Sequence, residues 1–172
     1  LGLIAILVGS PWAALSPWRA IYLGLCRLEG GELALVEYPS WAGTWPAVGG
    51  FVLLIGILEN LSLVPQSPVL TAVVIAGYTL IMLGGAVIFG PTWFDRADPL
   101  GLLYRVLGRV AGVSTQRTSG TVTILLRPPW RGCTVPVTDT AVAVFVVAAV
   151  YTVSFDGFTN TRQFQTLLFG TR

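Results

Sequence analysis

From Val69 to Phe89 the chain reads VLTAVVIAGYTLIMLGGAVIF, a stretch without a single charged residue. At about 1.5 Å of rise per residue, such a helix matches the roughly 30 Å hydrocarbon layer of a bilayer. The buried core of a large soluble domain is the competing home, and composition decides between them. Only 10% of the 172 residues are charged and 54% are hydrophobic, whereas soluble domains carry about 25% charged residues. The expectation is therefore an all-α polytopic transmembrane helix bundle forming one integral membrane domain over 1–172. Two further runs have the length of a crossing: 46–64 and 137–155, the latter charged only at Asp139 near its start. The chain opens on Leu1 in mid-hydrophobic stretch, so residues 1–9 read as the tail of a truncated first crossing in a longer protein. That makes four crossings, with PQSP (65–68) closing a tight antiparallel hairpin between two of them.

Arginine placement orients the bundle. With these crossings, 10–45 and 90–136 share one side and hold Arg19, Arg27, Arg96, Arg105, Arg109, Arg117, Arg127 and Arg131, while only Arg162 and Arg172 lie opposite. The positive-inside rule makes the first side cytoplasmic and puts the C-terminal tail outside the cell membrane. The net charge of +2 and the absence of a basic run give no footprint for nucleic acid. There is no histidine, which removes the commonest general base and the commonest metal ligand. Cys26 and Cys133 stand apart, without a CxxC or a ligand cluster, and read as ordinary reduced residues. No sequence pattern implies a cofactor or a metal.

Tryptophan keeps company with arginine and proline at three places: GSPWAALSPWRA (9–20), GPTWFDRADP (90–99) and RPPWRG (127–132). Trp12, Trp18, Arg19, Trp93, Arg96, Trp130 and Arg131 then read as interfacial anchors, since indoles favour the headgroup level and arginine can snorkel to phosphate. A shared role in gripping a ligand is the alternative. Two amphipathic helices are expected in the interface. One carries Leu15, Trp18, Ile21, Tyr22, Leu25 and Leu28; the other carries Leu103, Val106, Leu107 and Val110 opposite Arg105 and Arg109. Strands at 32–39 and 120–128 would pair into a small cytoplasmic β-hairpin. Gly49 and Gly56, Gly77 and Gly84, and Ala141, Ala148 and Ala149 form small-residue stripes. Such stripes suit close helix packing, whether within the bundle, against a membrane-protein partner or in a homo-oligomer; the other partner is the lipid bilayer itself.

Two charge groups carry the candidate chemistry. Glu59, near the end of its crossing, is costly in lipid unless hydrated, protonated or paired. Asn60, Tyr151 and Asp156 are expected at a similar outer depth, making a protonatable ion or substrate site; the plainer reading is a carboxyl bonded to Tyr151. On the opposite side, Asp95, Arg96 and Asp98 form the densest charge group, and Asp-Arg-x-Asp-Pro suits the start of a helix. Two aspartates three apart are thin support for a divalent metal. No nucleophile elbow, phosphate loop or Ser/His/Asp arrangement is present.

Taken in order, GSPWAALSPWR, YPSWAGTWPAVGGF, GPTWFDRADPLGLLYRVLGRVA, LRPPWRG and VSFDGFTNTRQF span nearly the whole chain. This succession resembles a group of multi-pass membrane proteins of haloarchaea and, more loosely, actinobacteria. The resemblance implies that the chain is the C-terminal part of such a protein. Members are sometimes labelled fenitrothion hydrolase, which implies a membrane-bound organophosphate hydrolase. Phosphotriester hydrolysis commonly uses histidine-bound metal, however, and this chain supplies no histidine. Transport or small-molecule and ion binding is thus the leading expectation, with a hydrolase or a structural membrane subunit as alternatives.

Overall fold

The structure, a computed structural model, describes residues 10 and 12–166 apart from 60–63, 119–120, 127, 129–130, 133, 135, 138, 160, 163 and 165. At 13, 59, 113–118 and 121–126 it describes the backbone alone. Helices dominate: α1 (Trp12–Leu15), α2 (Pro17–Glu29), α3 (Trp45–Phe51), α4 (Pro68–Phe89), α5 (Thr92–Ala97), α6 (Pro99–Leu107) and α7 (Thr140–Thr159). Helix α3 runs directly into a π-helical segment, Val52–Glu59, and strands β1 (Val113–Thr118) and β2 (Thr121–Leu126) lie between α6 and α7.

Proline starts these helices by rule. Pro17, Pro68 and Pro99 each sit in the first turn, where no amide donor is needed. The residue before each one, Ser16, Ser67 or Asp98, caps with its side chain, accepting from Arg19 N, Leu70 N and Leu100 N respectively. The Ser-Pro and Asp-Pro pairs are thus start signals. They also break the expected long amphipathic helix into α1 and α2, and they reorient its contact face. Leu15, Ile21, Leu25 and Leu28 are exposed, while Trp18, Tyr22 and Cys26, spaced by four, pack with Met82, Ala86 and Phe94.

Among the described residues, two helices, α4 and α7, are long and apolar enough to cross a membrane. Their side chains are mostly turned outward: Val73, Leu80, Val147 and Val153 are all more than 60% exposed. Lipid, rather than a protein core, suits such faces. The four crossings expected from the sequence are not found. Residues 1–9 lie outside the described set. Of the run expected as 46–64, the described part is helical from Trp45 to Glu59, roughly 22 Å at α-helical rise, and 60–63 lie outside the described set. The second half of this described helix is wound as the wider π form. In place of the expected linker, a 3₁₀ turn at Val64–Gln66 leads to the Ser67 cap of α4.

The expected hairpin partner is also different. Residues 32–39 form no strand; Leu35 N and Val36 N instead both donate to Ile88 O, at 2.9 and 2.8 Å. The last carbonyls of a helix have no partner within it, and a neighbouring extended segment has taken this one. Strand β2 pairs antiparallel with β1, in the register Val113 to Leu126 through Thr118 to Thr121.

Two packed centres hold the molecule together. In one, α3, α6 and α7 enclose Ala47, Val48, Phe51, Leu102, Ala141 and Phe145, with the Phe51 and Phe145 rings 4.8 Å apart. In the other, α2 and α5 lie along the second half of α4. The chain reaches that position because Gly90 adopts φ 70°, turning α5 back along α4. Trp93 then lies flush on Gly85, where an added Cβ would fall 2.1 Å from the indole ring. Gly50 is likewise pressed by Pro99, at 3.3 Å from a built Cβ, whereas Gly49, Gly77 and Gly84 meet nothing within 4 Å. The close approaches therefore fall one residue from the expected glycine stripes.

Candidate functional site

Asp98 is the best-buried charged side chain among the described residues, at 1% exposure. Its Oδ1 accepts the Tyr78 hydroxyl at 2.7 Å and the Leu100 amide at 2.9 Å, and its Oδ2 accepts Trp12 Nε1 at 2.6 Å. Capping α6 was legible from Asp-Pro; the bonds from residues 20 and 86 positions away were not. They tie α1, α4 and α6 to one carboxyl. Trp12 stacks on Tyr104 at 5.2 Å and lies 5.8 Å from Trp18. Trp18 in turn donates to Thr79 Oγ1 at 3.0 Å and meets Tyr78 edge-on at 4.9 Å.

Beside this carboxyl is a cavity of about 240 Å³, lined by Trp12, Ser16, Arg19, Asp95, Asp98 and Arg105 together with Ser10, Phe94 and Gly101. Arg19 Nη2 pairs with Asp95 Oδ1 at 2.5 Å, and its guanidinium lies 5.7 Å from the centre of the Phe94 ring. Arg105 donates to the Asp95 carbonyl. Gly101 matters to the shape, since a Cβ there would sit 3.1 Å from Asp98 Oδ2. The walls thus hold two guanidiniums, two carboxyls, two serine hydroxyls and an indole. They come from the first tryptophan-bearing motif, from the second and from α6 just after it, stretches far apart in sequence. Among the described residues, no three His, Cys, Asp or Glu side chains gather into a metal-binding group.

The cavity's height along the molecule follows from its bonds. Tyr78 is the eleventh of the 22 residues of α4, so Asp98 sits roughly 15 Å from either end of that helix. Trp18 reaches the next residue, Thr79. The charge cluster therefore stands abreast of the middle of a long apolar helix, not at its end.

The other expected site residues are dispersed. Glu59 closes the π-helical segment, and its side chain and all of Asn60 lie outside the described set. Tyr151 is 68% exposed on α7 and stacks on Phe155 at 6.0 Å. Asp156 is exposed within the last turn of α7, a helix that runs to Thr159, four residues beyond its expected end at 155. Of the anchors, Trp12, Trp18 and Arg19 belong to the cluster just described. Trp93 is half-buried between Gly85 and Phe89, its indole nitrogen buried without a hydrogen-bond partner among the described residues. Arg96 is exposed near Tyr38, whose phenol is pushed up by burial with Arg96 acting in the opposite direction. Arg131 is exposed and its carbonyl accepts from Thr134 Oγ1; Trp130 lies outside the described set. Trp41, 86% exposed, is the most open tryptophan among the described residues. Sequence reading missed Arg105 and Asp98 as cavity residues; the signal available was the density of charge in DRADPLGLLYR, adjacent to an uncharged helix. No protein family matches the chain, nor does any curated protein or solved structure.

Proposed function

We propose that this chain is a multi-pass integral membrane protein that binds a small charged solute or ion, in a transport or binding role, at the cavity bounded by Arg19, Asp95, Asp98 and Arg105. One observation carries the reading: this cluster stands level with Tyr78, halfway along an uncharged helix of bilayer length. Ionisable groups at membrane depth are expensive, turn towards protein or water-filled space, and mark solute pathways. Transporters commonly place their sites near the bilayer midplane. The outward apolar faces of α4 and α7 support membrane placement, as does the resemblance of the tryptophan motifs to multi-pass proteins. The site is thus assigned to the Asp98 cavity in preference to Glu59.

Thiol accessibility tests this. With Cys26 and Cys133 changed to serine, single cysteines replace Arg105, in the cavity, or Leu80, 72% exposed on α4. A small hydrophilic thiol reagent added to protein in vesicles should modify position 105 and leave position 80 unmodified. Modification at 80 would remove α4 from the bilayer; protection at both would make the cavity dry, and the binding role would fall.

A further inference from the structure

We infer that the cavity takes a zwitterion, a small molecule or headgroup carrying one ammonium and one oxyanion. This rests on the reading of the cavity as a binding site at membrane depth. The walls hold Arg19 and Arg105 against Asp95 and Asp98, so their formal charges cancel. A ligand with net charge would leave that charge uncompensated in a weakly polar setting, at a cost of several kcal/mol per ion by general estimates. A zwitterion adds none.

The positions of the groups separate the two ends of such a ligand. Asp98 is buried, with Oδ2 beside the bare backbone of Gly101. Glycine within a helix costs about 1 kcal/mol relative to alanine, and here its missing Cβ lets the Asp98 carboxyl settle against the α6 backbone at the cavity wall. Trp12 forms the adjoining wall, and an indole attracts ammonium groups within about 6 Å of its ring. Asp98 and Trp12 therefore form the cationic end's seat. Arg105, exposed and held to the Asp95 carbonyl, offers a guanidinium for the oxyanion at the cavity's open side. A guanidinium carries five N–H donors in a planar fork suited to carboxylate or phosphate. At about 30 Å³ per water-sized group, a cavity of about 240 Å³ holds roughly eight non-hydrogen atoms, the size of a small amino acid. The headgroup of phosphatidylethanolamine presents the same pair of charges from a lipid.

Binding is measured by calorimetry on the full chain in non-ionic detergent, with 4-aminobutanoate, butanoate and butylammonium as size-matched probes. The zwitterion should bind at least about tenfold more tightly than either singly charged probe, the loss expected when one charged contact goes unmade. Arg105→Gln should remove most of that preference. Gly101→Ala, which narrows the space without removing a charge, should weaken the zwitterion more than butanoate. A parallel arm compares thermal stability in phosphatidylglycerol nanodiscs with and without phosphatidylethanolamine. Stabilisation there that is lost in Arg105→Gln, without binding of 4-aminobutanoate, identifies the lipid headgroup as the source of the zwitterion. Equal or tighter binding of butanoate or butylammonium overturns the zwitterion while leaving a binding site in place. Binding by none of the three probes, with no response to phosphatidylethanolamine, overturns both.

Discussion

Asp98 and Asp139 begin life in the sequence as the same device. Each stands just before a helix and caps it: Asp98 Oδ1 accepts Leu100 N, and Asp139 Oδ1 accepts Ala141 N, both at 2.9 Å. Each offers its second oxygen to a residue far away in sequence, Trp12 Nε1 for one and Thr44 Oγ1 for the other, both at 2.6 Å. What surrounds them differs. Asp139 is half-buried and joins the start of α7 to the turn before α3, next to the purely apolar Ala47–Phe145 centre. Asp98 is fully buried, takes a third bond from Tyr78, and opens on a cavity holding two arginines and a second aspartate. One cap is complete once its helix is docked. The other is wired to three segments and also lines a polar cavity, and that excess over a cap is what the proposed binding role rests on.

The comparison can be broken most forcefully at Asp98. Asp98→Ala removes the cap and leaves the buried Tyr78 hydroxyl and Trp12 indole without an acceptor. The loss should be about 3–7 kcal/mol, from a cap worth about 1 and two donors at about 1–3 each. Thermal unfolding followed by tryptophan fluorescence reads it; a loss below that of the Asp139 variant would erase the distinction. Asp139→Ala should cost about 1–2 kcal/mol, a cap and one remote bond, with no change in ligand affinity by calorimetry. Tyr78→Phe leaves both helices capped and removes only the extra bond to Asp98. It should cost about 1 kcal/mol while altering probe affinity, a combination that a purely structural Asp98 would not give. Thr44→Val is the mildest, at about 0.5–1 kcal/mol, visible as a small fall in melting temperature with binding intact.

Much of the fold's punctuation was readable in advance because it is local. Ser-Pro and Asp-Pro mark helix starts through contacts two or three residues long, and uncharged runs announce α4 and α7. The cavity was not readable, because it depends on a reversal: Gly90 turns α5 back along α4, carrying Asp95 and Asp98 to mid-helix rather than beyond its end. A topology drawn from hydropathy places everything after Phe89 outside the span. The same reversal selects Gly85 over Gly84 as the contact glycine, since Trp93 arrives from the side. The partners of the tryptophans were hidden for a related reason. Composition shows that an indole needs a partner for its N–H, but not whether that partner is a lipid headgroup, as expected, or Asp98 and Thr79, as found.

The π-wound stretch from Val52 to Glu59 has a mechanical meaning of its own. A helix closed by i→i+5 bonds is fatter and shorter than its α counterpart, so it stores chain in its girth. Its near end is clamped, with Gly50 against Pro99 and Phe51 against Phe145. Any rewinding to α pitch must therefore advance and rotate the far end, in the manner of a screw driven from a fixed nut. Between this stretch and α4 runs an apolar cleft of about 300 Å³, bordered by Leu54, Leu58, Gly77 and Tyr78. A turn of that screw would reshape the cleft along the same helix face from which Tyr78 holds the carboxyl of Asp98.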